Sequence, residues 1–136
     1  MNNDEIYAEL EDSGKGWVNE RVSLINKSFM LWWVFVICAV VAPIIAIFIK
    51  PDLQPMNTWF QRGGSILVML SVLAEVQANS IEKFAIKKGY PGLYCDIFLV
   101  NKYERNIKLI KYASHVLIFI GTAIWGYGDV IYSYIK

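Results

Sequence analysis

Residues 29–49 read FMLWWVFVICAVVAPIIAIFI, 21 positions without a charge. As a helix rising 1.5 Å per residue this run is about 31 Å long, the thickness of a bilayer's hydrocarbon core. Lipid accepts such a surface and also dictates its conformation, because within it a single segment satisfies its backbone N–H and C=O groups only as a helix. Pro43 inside the run therefore reads as a kink, and Lys50-Pro51-Asp52 as the end of the span.

Composition extends this reading to the rest of the chain. Hydrophobic residues make up 56% and charged residues 18%, against about 45–50% and about 25% in ordinary soluble domains. A net charge of +1 gives no reason to expect direct, sequence-specific nucleic-acid binding. Residues 63–81, GGSILVMLSVLAEVQANSI, form a second apolar run with Glu75, Gln77 and Asn79 in its last third. An amphipathic helix in the interface would explain that polar end, but 66–74 is apolar on every side apart from Ser71, which favours spanning. A third span is expected over about 112–132. Its apolar part, 112–128, carries His115, and Trp125, Tyr127, Tyr132 and Tyr134 cluster toward its far end as an aromatic belt does. The expected fold is all-α: an N-terminal segment, 1–28, and a membrane domain, 29–136, of three helices in an oligomer.

Seven of the thirteen Lys and Arg residues lie between the second and third runs, three lie in the N-terminal segment, and few flank the other sides. The positive-inside rule then places the N-terminus and a basic loop, 82–111, in the cytoplasm of a bacterial inner membrane, and the C-terminus outside. Within that loop, Pro91-Gly92 predicts a turn, and the apolar patch 93–100 is too short to span. The patch reads as an interfacial piece or as a docking surface for a cytosolic partner. The acidic stretch 4–12 reads as a solvated helix face and carries none of the basic residues of a signal peptide, so no cleaved signal is expected. Cys38 and Cys95 have no ligand-type neighbours in sequence and are expected to pack as small hydrophobes. No cofactor or metal is expected.

The candidate functional residues are the polar ones inside the runs. WGYGD, residues 125–129, resembles part of a potassium filter, but a filter needs a following helix to line its cavity, and only VIYSYIK follows here. At 100° per residue His115, Thr122, Gly126, Asp129 and Ser133 share one stripe of the third helix, and Ser71, Glu75, Asn79 and Glu82 share one on the second. A charged group deep in lipid costs about 2.5–3.5 kcal/mol on the insertion scale, so Glu75 is expected to face the bundle, a partner or water. Either Glu75 and His115 pair to hold the bundle, or the stripes line an aqueous path or an assembly interface. Three spans cannot enclose a pore, so conduction would need several copies. Arg62 and Asp129, flanking the second and third runs at the same depth, are expected to pair, within one chain or between neighbours, and clamp the outer helix ends.

NTWFQRGGSILVMLSVLAE together with GTAIWGYGD resembles the small transmembrane effectors of bacterial anti-phage systems associated with retrons. The likeness covers about residues 56–82 and 115–132 and rests on Trp59, Phe60, Arg62, Gly63, Ser65, Glu75, Gly121, Thr122, Trp125, Gly126, Gly128 and Asp129. It implies an effector that permeabilises the inner membrane once infection triggers it. With no nucleophile–base set, metal-ligand spacing or phosphate loop, and a single His, enzymatic activity is not expected. The competing class is a membrane scaffold that anchors a cytosolic partner through 82–111.

Overall fold

A computed structural model describes residues 2–86 and 93–135, and the expected turn at Pro91-Gly92 falls outside them. Among the described residues there are four helices and no strands: α1 (Asn3–Glu9), α2 (Asp12–Phe48), α3 (Met56–Ile86) and α4 (Leu93–Ile135). Three of them are long and apolar enough to cross a membrane. The all-α membrane fold with three spanning helices is thus the observed one.

The helix limits follow from local chemistry. Helix α2 runs through Pro43, where lipid-facing backbone has no alternative to helix, and stops before Pro51, since a residue preceding proline is pushed out of helical geometry. A short turn closes with the Gln54 N–H donating to Pro51 O at 3.1 Å. Pro55, which lacks an N–H to leave unsatisfied, then immediately precedes α3.

α3 is the central element, packed between α2 and α4, while α2 and α4 touch only sparsely. Pro43 lies against Gly63 and the Trp59 indole N–H donates to Ala46 O at 2.5 Å, so α2 and α3 run antiparallel. Gln61 lies against Gly128 and Val68 against Gly121, so α3 and α4 do as well. Followed along this register, Phe29, Gln77 and Tyr112 stand at one level, and Ile49, Asn57 and Tyr132 at another. The two levels are about 20 residues apart, about 30 Å of helix and the depth of the hydrocarbon core. In this register the first apolar run, 29–49, stands level with 57–77 on α3 and with 112–132 on α4.

Outside that slab, the beginnings of α2 and α4 and the end of α3 continue as helix and form a water-side bundle with α1. Its core holds Ile6, Leu10, Val18, Ile25, Ala78, Ile81, Ala85, Cys95, Phe98, Leu99, Tyr103, Ile107 and Ile110. The expected loop at 82–111 is therefore corrected over 93–111, which is the start of α4. Cys95, Phe98 and Leu99 of its apolar patch are buried in this core, where Phe98 meets the Tyr7 ring of α1 at 5.6 Å. The acidic side chains of α1 stay exposed while Ile6 turns inward. Cys95 packs as expected, and burial, with the Asp96 carboxylate adding to it, raises its thiol pKa. Cys38 does not pack; it lies on the exposed face of α2.

Candidate functional site

Within the slab α3 and α4 meet backbone to backbone. A Cβ placed on Gly64 would fall 2.5 Å from Trp125 N and 2.8 Å from Gly121 O, and one on Gly121 would fall 2.8 Å from the Val68 side chain. Ser114 and Ser71 are fully buried along the same seam. Each hydroxyl bonds to the carbonyl one turn earlier in its own helix, Ser71 to Leu67 O at 2.7 Å and Ser114 to Ile110 O at 2.9 Å. Ser114 also accepts the Trp32 indole N–H at 3.0 Å, a buried polar contact from α2 to α4. Small residues let the backbones close, and dispersion rather than hydrophobic burial holds helices together in lipid.

Two carboxylates of α3 reach across this seam. Glu75 Oε1 stands 3.3 Å from His115 Nε2, and Glu82 Oε2 accepts from Lys111 Nζ at 2.7 Å. His115 Nδ1 lies 2.7 Å from Lys111 O. Lys111 O can only accept, so this contact is a hydrogen bond in the tautomer that carries its proton on Nδ1. The Glu75 side chain is 28% exposed and the His115 ring 60%, so the pair closes the edge of the seam and is not enclosed by it. By the register it lies two or three residues inside the slab, on the side of the N-terminus.

The remaining residues of the α4 stripe turn away from the seam. Thr122, Gly126, Asp129 and Ser133 are all exposed, as is His115, and nothing lies within 4 Å of where a Gly126 Cβ would stand. The side that meets α3 is instead the seven-residue series Ser114, Gly121 and Gly128, roughly a third of a turn away. Thr122 donates to Ile118 O and Ser133 to Val130 O, each at 2.7 Å, while Asp129 accepts the Val130 N–H at 2.8 Å. On α3, Asn79 and Glu82 are half-buried on the water side of the slab.

The expected clamp between Arg62 and Asp129 is not made within the chain. Matching depth was not enough. Arg62 leaves α3 on the side away from α4, and its guanidinium donates to Gln54 Oε1 at 2.8 Å. Helical side chains lean toward the N-terminus of their helix, which here carries the cation outward to the interface. The clasp at this end uses the neighbouring residue: Gln61 Nε2 donates to Trp125 O at 2.8 Å, and the Phe60 and Tyr132 rings meet at 6.1 Å. Residues 125–129, the filter-like sequence, are continuous helix.

Among the described residues no three His, Cys, Asp or Glu side chains gather as metal ligands. No family model, curated protein or solved structure matches the chain.

Proposed function

We propose that this protein is an inner-membrane effector of the anti-phage type, which assembles with copies of itself and permeabilises the membrane when triggered. The observation that carries this reading is the unpartnered face of α4. Thr122, Gly126 and Asp129 lie inside the slab and point away from α3, where a lone chain would present them to lipid. A carboxylate in that position is costly. Assembly removes the cost by turning the stripe toward a second copy or toward water enclosed by several copies. The resemblance of 56–82 and 115–132 to retron-associated effectors supplies the physiological setting, silence before infection and growth arrest afterwards, and the distribution of Lys and Arg supplies the orientation, with the N-terminus in the cytoplasm. No enzymatic step is part of the proposal.

The test is induced expression in bacteria with a potential-sensitive dye. The wild-type chain should depolarise the inner membrane, and Asp129→Leu, which makes the stripe apolar at its most polar point, should reduce the effect at equal membrane abundance. Unchanged dye signal with wild-type chain in growth-arrested cells would overturn permeabilisation. Reporter fusions should read inside at residue 1 and outside at residues 55 and 136; an inside signal at the C-terminus would overturn the topology.

The scaffold reading has one observation in its favour. Lys102, Glu104, Arg105 and Lys108 form an exposed charged surface on the water side of α4, suited to a cytosolic partner. A scaffold would be inert in the dye experiment without that partner.

A further inference from the structure

Within the slab α3 has three sides. Gly63 turns one toward Pro43 of α2, and Gly64 and Val68 turn a second toward α4. The third carries Arg62, Ser65, Met69, Val72 and Val76, all exposed and spaced as one face of a helix requires. At 100° per residue Glu75 falls between Ser71 of the seam and Val72 of this open face, and it reaches His115 at the seam's edge. The open face of α3 and the polar stripe of α4, to which His115 belongs, therefore adjoin along that edge. Together they form one continuous surface on the flank away from α2.

Near its outer end this surface holds opposite charges at matching depth. In the register that sets Gly121 on Val68 and Gly128 on Gln61, Asp129 is level with Phe60, about 3 Å of helix from Arg62. Side chains lean toward the N-terminus of their own helix, and α3 and α4 are antiparallel. The guanidinium thus leans outward and the carboxylate inward, which closes the gap. Neither has an ion pair among the described residues. Arg62 donates to Gln54 Oε1 and Asp129 accepts the Val130 N–H, each at 2.8 Å, which leaves further donors on the guanidinium and further acceptor positions on the carboxylate. Ser65 and Gly126, both small and exposed, also lie within about 3 Å of one depth.

Lipid chains on this surface would leave the Asp129 carboxylate without a counter-ion. A second copy supplies one. A two-fold axis along the membrane normal preserves depth and turns the surface onto itself, with α4 of each copy against α3 of the other, so every contact is made twice. We propose that this surface binds a second copy of the chain in that way, with Arg62 of each copy paired to Asp129 of the other and Ser65 beside Gly126 across the contact. A guanidinium and a carboxylate form the pair with the best planar fit. The contact rests on the self-assembly proposed above and not on permeabilisation.

Disulfide cross-linking of the full chain in bacterial membranes tests it. Ser65→Cys with Gly126→Cys, in a Cys38→Ser chain whose Cys95 stays buried, should give a dimer and nothing larger on mild oxidation, because a two-fold contact is closed. Cys38→Ser alone is the blank. A ladder of larger species, or no dimer, would overturn the arrangement. Native mass spectrometry of the chain without added cysteines reads the dimer independently. Arg62→Gln and Asp129→Asn should each raise its dissociation constant about five- to tenfold, and the double variant should be little worse than either. Additive losses, or no loss, would overturn the pair. A cross-linked dimer in cells whose membrane potential stays intact would support the contact and overturn permeabilisation alone. Depolarisation without the cross-link would overturn the contact alone.

Discussion

The water-side bundle and the membrane slab use the same three helices and hold them together differently. Outside the slab, branched and aromatic side chains from all four helices fill a common core, with Val18, Ile25, Ile81 and Leu99 fully buried. Inside it, α3 and α4 are joined by glycine against backbone, and most of α2 is exposed: Trp33, Ile37, Ile44, Ile45 and Phe48 are each half or more uncovered. The physical cause is the solvent. Water drives apolar side chains together, whereas lipid is as apolar as leucine and rewards only close fit and satisfied polar groups. The slab therefore depends on shape and the bundle on volume.

That contrast can be broken by substitutions of opposite kinds. Leu99→Ala removes volume from the water-side core and should cost about 2–5 kcal/mol, read by unfolding in detergent micelles; a cost near zero would mean that the bundle is not a folded core. Gly64→Ala adds one methyl between two backbones that cannot yield, and should cost about 1–3 kcal/mol, whereas Gly126→Ala, in open space, should leave the stability of the isolated chain unchanged. Equal effects at the two glycines would refute backbone packing as the join. Trp32→Phe leaves the buried Ser114 hydroxyl with only its own-helix bond and should cost about 0.5–1.5 kcal/mol. Lys111→Gln, at the partly exposed pair with Glu82, should cost no more than about 1 kcal/mol and less at high salt.

A pH experiment separates the regions further. Burial raises the pKa of Cys95 and of Tyr103, both in the water-side bundle. For a group whose folded pKa lies above its unfolded one, the added stability is whole below the unfolded value and is lost as pH climbs through the folded value. The contribution of these two groups should be unchanged up to about pH 8.5, the ordinary thiol value, and should fall above it. Cys95→Ser should remove the first part of that decline. A melting temperature that stays flat to pH 11 would contradict it.

The membrane character, the three apolar helices and the passage of helix through Pro43 all follow from length, charge and what lipid demands of a backbone. The pairing of Glu75 with His115 was also legible as one of two readings, since both lie near one depth. The start of α4 was legible in principle and missed. Cys95, Phe98, Leu99, Tyr103, Ile107 and Ile110 recur at helical spacing, but the charges between them suggested a loop. Likewise Gly64, Ser71, Ala78 and Ala85 on α3 and Ser114, Gly121 and Gly128 on α4 repeat every seven residues, a period that keeps one face on a neighbouring helix.

What the sequence could not determine was direction around each helix axis. Hydropathy and charge fix how deep a residue lies, because depth is set by a solvent common to every copy of the chain. Arg62 and Asp129 were matched on depth and do not meet within the chain, where Gln61, one residue and 100° away, makes the contact with α4. The same holds for Thr122, Gly126 and Asp129, whose shared stripe was visible in the sequence but whose outward aim was not. Only the docking of α4 on α3 through Gly64 and Gly121 decided it, because a helix can turn any face to lipid until a close backbone contact makes one orientation lower in energy than the rest.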